Sequence, residues 1–169
     1  MVEPTTVVPV AFAGPGAGSD VLSWGQRELY AAMCRQHSWL PIGMAGPVPA
    51  GTSLGEVLGE VRFALSRYPT LRTRLCLDAP DGPRQVVSGS GELGVAVFDT
   101  PAGTDPGEFA ERIRREYWVG PLDLCADWPV RVAVVRRYGV PAYLVVVLCH
   151  LATDGFGSIV LYQEMAGRD

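Results

Sequence analysis

The sequence predicts an α/β fold with helices packed on a mixed β-sheet, and three observations carry that expectation. Leu54, Val57, Leu58, Val61 and Leu65 recur at the helical period, forming an apolar stripe that must bury against another layer. Residues 142–149 are apolar throughout, as a strand covered on both faces would be, and residues 130–136 precede them across a Tyr138-Gly139-Val140-Pro141 turn. Helical and strand-like segments alternate without internal repeat, so a layered sandwich of both is the economical architecture.

Taken in order, residues 1–20 are expected to be a flexible N-terminal segment, because residues 13–20 are rich in Gly and Pro. Residues 21–169 are expected to form one lobe. Ser23-Trp24-Gly25-Gln26 has the form of a capping box and opens a helix to about residue 36. Ser53-Leu54-Gly55-Glu56 repeats that signal, and its helix should stop near Tyr68, because Pro69 disfavours helical geometry in the residue before it. Residues 70–77 and 84–87 flank an Asp78-Ala79-Pro80-Asp81-Gly82-Pro83 turn and read as a hairpin, followed by a short strand over 93–98. Pro106 occupies a first helical position, for a helix to about residue 118. The strands over 130–136 and 142–149 come next, and a helix over 155–165 follows them.

The chain has 169 residues, a net charge of −4 and 14 basic side chains, all Arg. The absence of Lys excludes a Walker-type phosphate lysine, a Schiff-base lysine and a Ser-Lys dyad. Dispersed charge gives no basic stripe for nucleic acid or an anionic membrane. Cys34, Cys76, Cys125 and Cys149 show no metal-type spacing and only two histidines accompany them, so neither a zinc site nor a disulfide framework is expected. A start without a basic n-region, and no apolar run long enough to span a bilayer, imply a soluble cytoplasmic protein.

The segment 148–158 carries the chemistry. A buried strand ends on His150, and Asp154-Gly155 opens a helix. Strand ends and helix N-termini gather side chains and free N–H groups, which suits a base beside a developing oxyanion. A neutral imidazole accepts a proton at neutral pH. The plain alternative is a core histidine with one hydrogen bond and Asp154 as a turn or N-cap residue.

His150-Leu151-Ala152-Thr153-Asp154-Gly155 after a buried strand resembles the active-site motif of nonribosomal peptide synthetase condensation domains, members of the chloramphenicol-acetyltransferase-like superfamily. His150 matches the second of the family's two adjacent histidines, and Cys149 stands where the first is usual. Residues 22–30 (LSWGQRELY) resemble the family's first motif, and residues 67–75 (RYPTLRTRL) its second. The stretch from Pro121-Leu122-Asp123-Leu124 to Pro129-Val130-Arg131 resembles the approach to the active-site strand.

The resemblance implies the N-terminal lobe of a two-lobed acyltransferase that joins an acyl or peptidyl thioester to an aminoacyl amine. His150 would be base or positioning residue, and N–H groups near Gly155 would stabilise the oxyanion. It further implies that Asp154 is architectural and pairs with Arg67 rather than Arg72. Cys149 is read as a small packing residue. No cofactor would bind directly; phosphopantetheine would arrive on partner carrier proteins, and a second condensation lobe would complete the site. An ester-forming acyltransferase and a non-catalytic docking module of the same fold remain alternatives.

Overall fold

The computed structural model describes residues 2–166. In chain order the elements are β1 (Thr6–Ala13), β2 (Gly18–Val21), α1 (Trp24–Gln36), β3 (Pro41–Pro47), α2 (Leu54–Arg67), a 3-10 turn (Pro69–Arg72), β4 (Thr73–Cys76), β5 (Arg84–Val87), β6 (Ser90–Asp99), α3 (Pro106–Val119), β7 (Val130–Arg137), β8 (Val140–Cys149) and α4 (Gly155–Ala166). Five strands form a mixed sheet in the order β1-β6-β7-β8-β3, parallel between β6 and β7 and antiparallel elsewhere. A small antiparallel sheet has the order β2-β5-β4. The α/β class and the mixed sheet agree with the sequence.

Residues 1–20 correct the expectation of a flexible segment. Thr6–Ala13 pairs with β6 along its whole length, and Val10 and Phe12 enter the core. The period-two pattern Val8, Val10, Phe12 marks a strand, and Pro9 obscures it. Proline is tolerated there because β1 is an edge strand, with no neighbour on its far side to need the missing N–H. Residues 41–47 carry no strand signal in the sequence; β3 forms the opposite edge, paired with β8.

The central sheet is covered on both faces. On one, Leu144, Val146 and Leu148 of β8 join Val57, Val61 and Leu65 of α2 and Leu161 and Met165 of α4. On the other, Val145, Val147 and Cys149 meet Phe109, Ala110 and Ile113 of α3, with Met33 and Trp39. This alternation along β8 explains its unbroken apolar sequence and places the next residue, His150, at the rim of the sheet. Both capping boxes form: the Ser23 and Ser53 hydroxyls accept the Gln26 and Glu56 N–H groups, and the Gln26 and Glu56 side chains return the contact. Among the described residues, no helix is long and apolar enough to cross a membrane.

Candidate active site

The end of β8 is gripped from the turn between α1 and β3. Helix α1 stops at His37, which adopts the left-handed conformation (φ 49°), and the chain turns left-handed again at Leu40 (φ 47°). A branched side chain in that region is strained, by about 1–3 kcal/mol, and persists only where its surroundings hold it. Several contacts do so here. The Leu40 N–H donates to the Ser38 hydroxyl at 3.1 Å, and the buried Trp39 donates its indole N–H to the Gly120 carbonyl at 2.9 Å. In return, the Trp39 carbonyl accepts the Cys149 thiol at 3.3 Å, and the Leu40 carbonyl accepts the His150 N–H at 3.1 Å. Nothing in the sequence pattern signalled Trp39 and Leu40 as part of the site.

Cys149 is fully buried, and burial pushes its thiol up to about 11. It therefore stays protonated at neutral pH, a packing residue with one weak donor bond rather than a nucleophile. His150, its neighbour, is only half-buried, in the turn closed by the Ala152 N–H on the Cys149 carbonyl at 2.9 Å. Its Nδ1 atom is buried and has no hydrogen-bond partner among the described residues. Native proteins rarely leave such an atom unmet, so a water or another polar group is expected to meet it.

Asp154 caps α4. Its carboxylate accepts the Gly157 N–H at 2.7 Å and its carbonyl accepts the Ser158 N–H at 3.0 Å. Gly157 cannot carry a side chain without collision, since a Cβ would lie 2.4 Å from the Thr153 hydroxyl. Gly155 is the exposed first residue of the helix, at its electropositive end. Along α4, Leu161 and Met165 enter the core while Phe156, Ile159 and Val160 are 79%, 46% and 41% exposed.

The expected ion pair between Asp154 and Arg67 is not formed. Arg67 is exposed on the last turn of α2, its guanidinium over the Phe63 and Tyr68 rings at 5.8 and 5.6 Å, while the Asp154 carboxylate is used at its own helix. The buried arginine is Arg72, 0% exposed. It donates to the carbonyls of Leu65 at 2.8 Å and Pro15 at 2.8 Å, of Gly14 at 3.4 Å and Ser66 at 3.5 Å, and of Ser88. A guanidinium has five N–H donors and here meets five carbonyls, tying the end of α2 to the links β1–β2 and β5–β6. Gly14 permits that approach, since a Cβ there would sit 2.1 Å from the Ser66 carbonyl oxygen.

A cleft of about 580 Å³ opens where β6 and β7, paired only over Ala96–Asp99 and Ala133–Arg136, splay apart. Arg74, Leu93, Trp128 and Arg131 line it, and His150 does not. Among the described residues, no cluster of three or more His, Cys, Asp or Glu side chains is placed to hold a metal ion.

Solved structures share this arrangement. The starter condensation domain of the rhizomide synthetase RzmA matches with a TM-score of 0.75 at 20% sequence identity, over 88% of this chain and 36% of that one. A double mutant of that domain, in complex with C8-CoA and Leu-SNAC, gives 0.75 at 20% identity, over 87% and 34%. The first condensation domain of the calcium-dependent antibiotic synthetase, in complex with a substrate analogue, gives 0.73 at 16% identity, over 88% and 36%. No protein-family model matches the chain, and no curated protein sequence does. The chain has the fold of a condensation-domain lobe and spans about a third of the length of those solved domains.

Proposed function

We propose that the chain is the N-terminal lobe of a condensation enzyme that forms an amide bond between an acyl or peptidyl thioester and an aminoacyl amine, with His150 as base or positioning residue. The observation that carries this reading is His150 itself. A half-buried imidazole with an unmet Nδ1 closes the central strand beside the N-terminus of α4, in a condensation-domain fold. The RzmA starter domain held with C8-CoA and Leu-SNAC supports a thioester donor and an aminoacyl acceptor.

In the reaction the amine nitrogen attacks the thioester carbon, the C–S bond breaks, and the thiolate leaves. His150 accepts or directs the amine proton, and N–H groups at the start of α4 face the developing oxyanion. Phosphopantetheine arms of carrier proteins would present both thioesters. The exposed Phe156, Ile159 and Val160 form the face that a second lobe would cover to make a tunnel and exclude water. An alcohol acceptor would use the same residues and yield an ester.

One observation favours a second reading, a docking module without catalysis: Cys149, inert and buried, replaces a histidine of the motif. A carrier-loaded condensation assay decides, run on this chain alone and with a second lobe supplied, offering amine and hydroxyl acceptors. The proposal expects turnover only with both lobes, lost in His150→Ala. No turnover with any acceptor favours the docking module, whereas turnover unchanged in His150→Ala removes His150 from the reaction.

A further inference from the structure

Cys34, Cys76 and Cys125 are exposed, whereas Cys149 is buried. Two of the exposed three, Cys76 and Cys125, adjoin the same backbone contact. The loop after α3 crosses the end of β4, where the Leu75 N–H donates to the Leu124 carbonyl at 2.8 Å. A backbone bond of that kind sets two chains roughly 5 Å apart. Leu75 turns inward at 7% exposure, so Cys76 turns outward, as successive strand residues do. Across the bond Leu124 is half-buried and Cys125 is exposed, in a turn closed by the Ala126 and Asp127 N–H groups on the Asp123 carbonyl. Both thiols thus lie one residue beyond the same backbone bond, on exposed residues, the neighbourhood in which a disulfide can form.

We propose that Cys76 and Cys125 are an oxidation site, a thiol pair that a small disulfide of the glutathione class converts to an intramolecular disulfide. The Cys76 thiolate attacks one sulfur of the small disulfide, forming a mixed disulfide and releasing one thiolate. The Cys125 thiolate then attacks the Cys76 sulfur, closing the protein disulfide and releasing the second. Two cysteine thiols are oxidised, one small disulfide is reduced to two thiols, and the two cysteine protons pass to the released thiolates. Burial, with the Asp123 and Asp78 carboxylates nearby, raises the Cys125 pKa, which suits it to the resolving step rather than the first attack.

The crosslink would fix a segment that matters to the neighbouring site. Leu75 and Leu124, the inward members of the same contact, line a small cavity with Leu151 and Ala152, just past His150. The loop also supplies Ala126, Asp127 and Trp128 to the wall of the β6–β7 cleft, where the Arg74 guanidinium lies over the Trp128 ring at 3.5 Å. The geometry is independent of the acyl-transfer reading, and so is its test.

The reduced chain is equilibrated with glutathione and glutathione disulfide, quenched in acid, alkylated and mapped with trypsin. Cleavage after Arg isolates Cys76 in residues 75–84, Cys125 in residues 116–131 and Cys34 in residues 28–35. The expected product joins 75–84 to 116–131 in at least about tenfold excess over any species containing a linked Cys34, because neighbouring thiols have a high effective concentration for each other. Cys125→Ser should stop at the glutathione adduct on Cys76. Separate glutathione adducts on the unaltered chain, a Cys34–Cys125 link or a disulfide between two chains would each overturn the proposal, and the mapping of the unaltered chain decides even if a variant fails to fold.

Discussion

Arg72 and His150 belong to neighbouring segments, whose residues Thr70, Thr73, Leu151 and Ala152 line one small cavity, and they are treated in opposite ways. Around Arg72 a permanent charge is wholly enclosed, yet all five donors meet carbonyl oxygens, and a glycine is spent to let them approach. Around His150 the imidazole is half open, its Nδ1 has no partner among the described residues, and the helix that follows turns Phe156, Ile159 and Val160 to solvent. The first region is complete in itself and its residues hold the fold. The second leaves a buried nitrogen unmet among the described residues and an apolar helix face open, the features on which the proposed function rests. Two of the three arginines of the second motif divide the same way: Arg72 is structural, and Arg67 lies on the surface.

The largest effect should follow from breaking the closed region. Arg72→Met removes every donor and leaves buried carbonyls unmet, so a loss of about 3–5 kcal/mol is expected in urea unfolding. Arg72→Lys should lose nearly as much, because three donors on a point charge cannot reproduce a planar fork. A loss under about 1 kcal/mol in both would show that the hub is incidental.

At the open region the outcome should be reversed. His150→Ala is expected to leave the unfolding midpoint nearly unchanged while cutting two-lobed condensation by roughly 10²–10⁴-fold. A variant that loses stability and activity together would make His150 a packing residue like its neighbour.

That neighbour sharpens the comparison by one residue. Cys149 has its thiol pKa raised from 9.0 to about 11 by burial. Below about pH 9 both folded and unfolded chains keep the proton, and the group's full stabilisation is present. Between about pH 9 and 11 the unfolded chain releases it first, so stability falls as pH rises, by up to about 3 kcal/mol. Cys149→Ala should make the alkaline decline shallower in urea midpoints taken across that range, after allowance for a pH-independent cavity cost. An unaltered slope would mean that the thiol is not buried as described.

The sequence disclosed the parts of the molecule governed by local rules. Both capping boxes, the stripe of α2, the Pro106 helix start and the doubly buried β8 follow from spacing and residue type alone, as does the strand-end position of His150. What escaped it was set by tertiary contact. β1 and β3 are edge strands punctuated by Pro9 and by Pro41 and Pro47, which read as loop until a sheet gives them a side that needs no donor. Leu40 adopts a left-handed conformation because its carbonyl is wanted by His150, a demand arising from a residue more than a hundred positions away. Arg67 and Arg72 cannot be told apart by motif order. Only the helix end at Tyr68 and the following 3-10 turn determine which guanidinium swings inward.

The smallest expected effect concerns the pairing that the motif suggested and the structure did not form. Asp154→Ala removes an N-cap bond to Gly157, a loss of about 1 kcal/mol by precedent for such caps, not the several expected for a buried pair left half-empty. Arg67→Ala removes only an exposed guanidinium lying over two rings, for a change within about 0.5 kcal/mol. Because the two side chains share no partner, their double variant should lose the sum of the single losses, with a coupling energy within about 0.3–0.5 kcal/mol of zero. The same cycle on a two-lobed protein adds a second reading. If docking of the other lobe rotates Arg67 toward α4, the coupling should rise above about 1 kcal/mol there while remaining absent in this chain. Strong coupling in the isolated chain would instead mean that Asp154 holds Arg67 in solution, and Asp154→Asn, which retains a capping oxygen but no charge, would then fail to restore the lost stability.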